Sequence, residues 1–230
     1  MKKIALLSVT ILLSAGIISA QNNNATTEQN GDGNSALQEQ QGNHNDATIQ
    51  QGHLSEWMWE QNDGYAEQYQ EGSSNEATIK QRSGSWGSGN WSMQEQYGTK
   101  NNAQVVSWNA NNASWQYQSG TKNLAKINLA QHMNTAWQEQ FGTENYAYTT
   151  LGSGNGNFAW TYQDGDKNFG FIKSGGNNNT AVLGQFGNKN NAAAKSWWKD
   201  VIGPFPGHGG DGYDDFGILQ KGDRSEERRV

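Results

Sequence analysis

The chain has 230 residues, no cysteine, and 16 basic against 22 acidic side chains, a net charge of −6. The lack of thiols rules out a disulfide framework and a lipidated cysteine anchor, and the acidic balance argues against nucleic-acid binding. Hydrophobic residues are 33% and Gly fills 29 positions, close to a disordered, amide-rich composition; yet the polar residues are periodic and aromatics reach 11%, with ten Trp.

Residues 1–20 read as a secretory signal: Lys2 and Lys3 precede an apolar run from Ile4 to Ile18, and Ser19-Ala20 offers a small-residue cleavage site before Gln21. The run is shorter than the ~20 residues a spanning helix needs. Without Lys2 and Lys3 the balance is 14 basic against 22 acidic, a net charge of −8. Residues 21–28 form a short polar segment.

A phrase then begins to recur: Gln, one residue, Gly, two residues, Asn, one residue, Ala, three residues, and Gln again. It reads Gln29, Gly31, Asn34, Ala36, Gln40, and then Gln40, Gly42, Asn45, Ala47, Gln51. The spacing loosens over Trp57 to Gln61 and Ala66 arrives early, but Gln70, Gly72, Asn75, Ala77, Gln81 is clean again. Ser83 to Gly89 reads as a Gly/Ser insertion, which solenoids accept at their corners.

From Gln96 to Ser196 the pattern is regular. The strong Gln returns at Gln96, Gln118, Gln140, Gln163 and Gln185, each followed by a turn glycine, Gly98, Gly120, Gly142, Gly165 or Gly187. Asn101, Asn123, Asn145, Asn168 and Asn190 mark one half of each unit; Asn112, Asn134, Asn157 and Asn179 mark the other. The period is therefore about 22 residues, made of two 11-residue half-repeats, and a fixed period in this range marks a stacked repeat. Gly and Asn at the turns tolerate left-handed backbone angles. Between turns the residues alternate with period two, which is strand geometry. The constant set (Asn, Ala, Gln or Ser) is placed inside and the variable set outside. A buried amide is costly unless bonded, and a ladder of identical side chains supplies the partners. The fold predicted is all-β: a β-solenoid of stacked strand–turn–strand coils forming two parallel in-register sheets over residues 29–196. Residues 197–230, with both prolines, read as a non-repeat tail or cap.

The phrase Gln-x-Gly-x-x-Asn-x-Ala-x-x-x-Gln resembles the curlin repeat, the unit of curli-type functional amyloid fibres, over roughly residues 29–196. One departure is that Asn90, Asn112, Asn134, Asn157 and Asn179 stand where such repeats usually carry Ser. The resemblance implies a secreted structural subunit that self-assembles into extracellular, biofilm-matrix fibres with a role in adhesion. It implies a homopolymer that also meets another curlin-like subunit, an outer-membrane secretion channel addressed by residues 21–28, and assembly factors. Two alternatives stay open: a minor nucleator subunit, and a capped monomeric β-solenoid binding glycans or ice through a flat aromatic face.

Catalytic chemistry finds no support. His44, His53, His132 and His208 lack ligand spacing, no Ser/His/Asp grouping recurs, and a thin solenoid encloses no substrate cavity. No cofactor is expected. The acidic glycine loop with Asp211, Asp214 and Asp215 fits one copy of a calcium nonapeptide, but such sites form between successive coils, so it is only a weak calcium candidate. Trp115, Trp137 and Trp160 recur one residue after Ser114, Ala136 and Ala159, which predicts an outward aromatic column flanked by Tyr117 and Tyr162.

Overall fold

The structure, a computed structural model, describes residues 22–52, 63–82, 89–196, 215–221 and 226–229. Its strands are β1 (Asn24–Gln29), β2 (Ser35–Asn43), β3 (Asp46–Gln51), β4 (Tyr65–Ser73), β5 (Glu76–Arg82) and β6 (Trp91–Thr99). There follow β7 (Asn102–Trp108), β8 (Ala113–Thr121), β9 (Leu124–Leu129), β10 (Thr135–Thr143), β11 (Tyr146–Ser153) and β12 (Phe158–Asp164). The last are β13 (Phe169–Gly175), β14 (Thr180–Phe186), β15 (Asn191–Ser196), β16 (Asp215–Lys221) and β17 (Glu226–Arg229). Odd-numbered strands form a nine-stranded sheet and even-numbered strands an eight-stranded one, each in unbroken order. The strand pairs are parallel and join like to like: Gln96 faces Gln118, Gln118 faces Gln140, and Ala103 faces Ala125. The chain is thus a β-solenoid with a coil of about 22 residues, as its period predicts.

The period-two alternation sets the inside. In the odd sheet, Ala47, Ala77, Ala103, Ala125, Ala147 and Ala192 form one buried line, and Ile49, Ile79, Val105, Ile127 and Ile172 the next. In the even sheet, Ala66, Ala136, Ala159 and Ala181 alternate with buried glutamines. Alanine and amides keep the two sheets close, and the aliphatic line supplies the apolar area that excludes water.

Sheet pairing runs past the expected limits of the repeat at both ends. The repeat was expected to start at Gln29, but β1 pairs with β3 from Asn24 to Gln29, so Asn23, Ala25 and Gln29 already occupy the Asn, Ala and Gln lines half a coil earlier. A half-repeat without its leading Gln-x-Gly reads as polar lead, and only pairing reveals it. At the other end, β16 and β17 carry both sheets past Ser196, with Gln220 in register with Gln185. The signal over 1–20, the Trp57–Gln61 segment, the insertion at 83–88, and Asp211 and Asp214 lie outside the described residues. Ala66, which comes early in the sequence, is in register with Ala36.

The turns differ in one respect from expectation. The turn glycines do take positive φ, from 99° at Gly187 to 125° at Gly120, but Asn101 and Asn123 do not. The left-handed residue is the one before each Asn: Lys100, Lys122, Glu144, Lys167 and Lys189, all near φ 60°. Asn is needed as the first inward residue of the strand, so the reversal falls on its neighbour, whose long side chain extends into solvent.

Candidate assembly surface

The interior is held by chains of amides, all running one way. Gln40 Nε2 donates to Gln70 Oε1 at 2.7 Å, Gln70 to Gln96 at 2.7 Å, and Gln96 to Gln118 at 2.9 Å. The chain goes on through Gln118 to Gln140 and Gln140 to Gln163, both 2.8 Å, and Gln163 to Gln185 at 2.7 Å. Each Nε2 uses its second proton on a backbone carbonyl of the facing sheet, as Gln140 does on Leu124 O at 3.1 Å and Gln163 on Tyr146 O at 3.0 Å. The ladder therefore stacks coils and ties the two sheets together. Its members from Gln70 to Gln185 are fully buried, and every glutamine-to-glutamine bond points towards the C-terminal end.

A second ladder escaped the sequence reading. Gln38, Gln68, Gln94, Gln116 and Gln138 lie two residues before the strong glutamines and pass the same bond along at 2.7–2.9 Å. It ends where Gln138 donates to Thr149 Oγ1 at 3.0 Å. The signal is present, since period two puts these positions inside, but the residue there changes to Thr161 and Leu183 in later coils. In the odd sheet the amide ladder is short: Gln29 to Gln51 to Gln81, which then donates to Ser92 Oγ.

The asparagines work differently from the like-on-like ladder expected of them. Asn101 Oδ1 accepts the backbone N–H of Asn123 at 3.0 Å, and Asn101 Nδ2 donates to the carbonyls of Tyr97 and Gly120, both at 3.0 Å. Asn123, Asn145 and Asn168 repeat this on the next coils. Asn112, Asn134 and Asn157 do the same at the other edge, and the backbone N–H groups of Asn179 and Asn190 donate to Asn157 Oδ1 and Asn168 Oδ1. An Asn side chain is short enough to reach turn backbone whose polar groups the sheets leave unpaired, so each Asn staples one turn to the next.

The outer face of the even sheet is aromatic. Trp115 is in register with Trp137, and Trp137 with Trp160. Trp137 is exposed and meets the ring of Trp115 edge-on at 6.3 Å and that of Phe158 at 5.5 Å. The indole N–H of Trp160 donates to Glu139 at 3.0 Å and that of Trp115 to Glu95 at 3.3 Å. Beside this column two further lines trade places. One reads Glu39, Tyr69, Glu95, Tyr117, Glu139, Tyr162; the next reads Gln41, Glu71, Tyr97, Ser119, Phe141, Asp164, Phe186. Rings therefore zigzag between the lines, Tyr69–Tyr97–Tyr117–Phe141–Tyr162–Phe186, with centroids 5.2–5.6 Å apart. Carboxylates fill much of the alternate positions, so the true repeat of this face is two coils.

Burial and nearby carboxylates raise four of the phenols on this face. Burial, followed by the charge of Glu95 and the hydrogen bond to it, pushes the Tyr97 phenol up to about 12. The hydrogen bond to Glu67, with burial and the same charge, pushes Tyr65 up to about 12. Tyr69 and Tyr162 are raised by burial first, then by neighbouring carboxylates. On the turn edge, Glu144 lies between Lys122 at 3.3 Å and Lys167 at 3.6 Å, which hold its carboxyl below the usual range. Among the described residues no group of His, Asp and Glu could hold a metal ion. Of the calcium candidates only Asp215 falls in a described strand, paired with Thr180.

Fold and interior define a class: a parallel β-solenoid whose coils are locked by directed amide ladders, with its chemistry on faces and edges. The family described as Curlin associated repeat matches two stretches of the chain, residues 20–52 and 154–187. Between the two stretches the same Ala and Gln lines run through the paired strands. No curated protein matches the chain.

Proposed function

We propose that the chain is a secreted structural subunit that self-assembles into curli-like amyloid fibres of the extracellular matrix. The observation carrying this reading is the N-terminal edge. Ala25 stands in the line where Ala47 and Ala77 are buried, yet it is exposed, and Gln29, Gln38 and Gln40 offer only the first rung of each ladder. An edge of interior composition is a template for further strands. The leader over 1–20 and the curlin repeats support export through an outer-membrane channel, and the family supports contact with a second curlin-like subunit. The aromatic face of the even sheet supports lateral bundling and adhesion to glycans or other surfaces. A structural role without catalysis accords with the family and the fold.

Thioflavin fluorescence, light scattering and fibre diffraction on purified chain starting at Gln21 test the reading. Growth into fibres with a meridional spacing near 4.8 Å is expected. A chain that stays monomeric, unseeded and seeded, overturns it.

A further inference from the structure

The two ends of the coil stack are not equivalent. At the N-terminal end β1 and β2 make one coil, with Ala25, Thr27 and Gln29 in the interior register lines of the odd sheet. At the other end, among the described residues, the last strand of the even sheet is β16 and that of the odd sheet is β17, paired with β15. β16 keeps the ladder line through Gln220. β17 does not keep its lines: Glu227 is in register with Ala192, and Arg229 with Ala194. In every coil before it, the same two lines carry Ala or Gly and Ile, Val, Thr or Ala.

We propose that β17 is a built-in plug: it occupies, on the edge of β15, the place that β1 of a second copy must take for a fibre to grow. The inference rests on the fibre reading above and adds where and how the joint forms.

Two register arguments converge. The first is geometric. If β17 leaves, β1 of a second copy pairs with β15 and its β2 pairs with β16, and both sheets continue without a gap. If β17 stays and the second copy adds onto it, the even sheet lacks a strand between β16 and the incoming β2, leaving two edges facing each other unpaired. Unpaired backbone covered by another coil is costly. The second argument is charge. Covering β17 would place Glu227 and Arg229 at interior positions between coils, and an interior charge is strongly disfavoured. Charges at inward positions are one of the devices by which proteins blunt a sheet edge. The polarity of the amides fixes the rest: donors run towards the C-terminal end, so the acceptor edge of β1 and β2 fits only the end that β17 guards. The joint is head to tail, and each one formed displaces one plug.

The plug can be fixed or loosened in the full chain, which has no cysteine of its own. Ala193 and Arg228 are register partners on β15 and β17. Parallel neighbours lie about 4.8 Å apart, within disulfide reach. In the double variant Ala193→Cys/Arg228→Cys, oxidation should lock the plug and reduction release it in the same molecule. In the other direction, Glu227→Pro weakens pairing of β17. The first residue of each odd strand and its alternates donate forward to the next coil, so in β17 the Glu227 N–H, and not that of Arg228, faces β15. Assembly is followed by thioflavin fluorescence, seeded with preformed fibres. If the edge is open in only a fraction of molecules, the rate of addition scales with that fraction. The oxidised clamp is then expected to elongate seeds about tenfold or more slowly than its reduced form, and Glu227→Pro to shorten the unseeded lag several-fold. Equal rates for oxidised and reduced clamp overturn the plug, as does a proline variant no faster than the parent chain. Failure of the parent, the reduced clamp and the proline variant alike to form cross-β fibres overturns the fibre reading itself, and the plug with it.

Discussion

Gly142 lies so close to Gly165 that a Cβ on Gly142 would come within 2.2 Å of the Gly165 carbonyl oxygen. Its φ of +103° is also one that other residues adopt only under strain. The obstacle is backbone and has no room to turn aside. Gly142→Ala should therefore cost roughly 1–3 kcal/mol, read as a lowered denaturant midpoint. Gly152 is the control: a Cβ there meets only Thr150 Cγ2 at an ordinary 3.6 Å. Gly152→Ala should leave the midpoint nearly unchanged, and equal losses at the two sites would contradict the turn geometry.

Gln140 accepts from Gln118 and donates to Gln163 and to Leu124 O. Gln140→Ala leaves these buried groups short of a partner, at about 1–3 kcal/mol for each left unsatisfied. Lys126→Ala, in the outward line of the odd sheet, should stay within about 0.5 kcal/mol. The first substitution is expected to slow assembly and lower the midpoint while the second does neither. Equal effects would reverse the assignment of inside and outside.

Alkaline pH should loosen the aromatic face. The Tyr65 and Tyr97 phenols are held up to about 12 against an ordinary value of 10.0. A raised pKa in the folded state means that folding favours the protonated phenol. That contribution is complete below pH 10 and is lost as pH rises towards 12. Denaturant midpoints should thus hold level up to about pH 10 and fall above it, with phenolate absorbance appearing late. Tyr97→Phe keeps a ring in the zigzag but has no proton to lose, so its alkaline fall should be shallower. An identical fall would show that Tyr97 contributes nothing to it.

Replacing Trp115, Trp137 and Trp160 together by Thr keeps strand propensity and deletes the indole column. Such fibres are expected to elongate at close to the parental rate but to bundle less in electron micrographs and adhere less to coated surfaces. Unchanged bundling and adhesion would leave the column only a role in strand stacking, worth about 0.2–1 kcal/mol per pair.

The fold was legible because stacking makes it a matter of period: once Gln96, Gln118 and Gln140 recur with Gly and Asn at fixed offsets, strands, turns and register follow. What stayed illegible depends on contacts between coils rather than within one. Asn101 reads as a turn residue, yet it staples two turns while Lys100 takes the left-handed angle. Gln116 and Gln138 sit in a line that other coils fill with Thr161 or Leu183, so their ladder does not announce itself as an invariant letter. β1 and β17 are half-coils with degenerate phrases, and only their partners identify them. The zigzag of Tyr97, Tyr117 and Phe141 spans two coils, a period longer than the one that the glutamines display.

That longer period makes the face sensitive to parity. Deleting the single coil that carries Tyr117 would bring Glu95 beside Glu139 in one line and Tyr97 beside Phe141 in the next, setting like against like. Deleting two consecutive coils would instead bring Glu95 to Tyr162 and Tyr97 to Asp164, and the alternation would resume unbroken. The ladder of Gln96, Gln118, Gln140 and Gln163 tolerates either change, since its rungs are the same. A chain of this design can therefore lengthen or shorten without penalty to its outer face only in steps of two coils, so the outer face, and not the core, sets the size of the heritable unit.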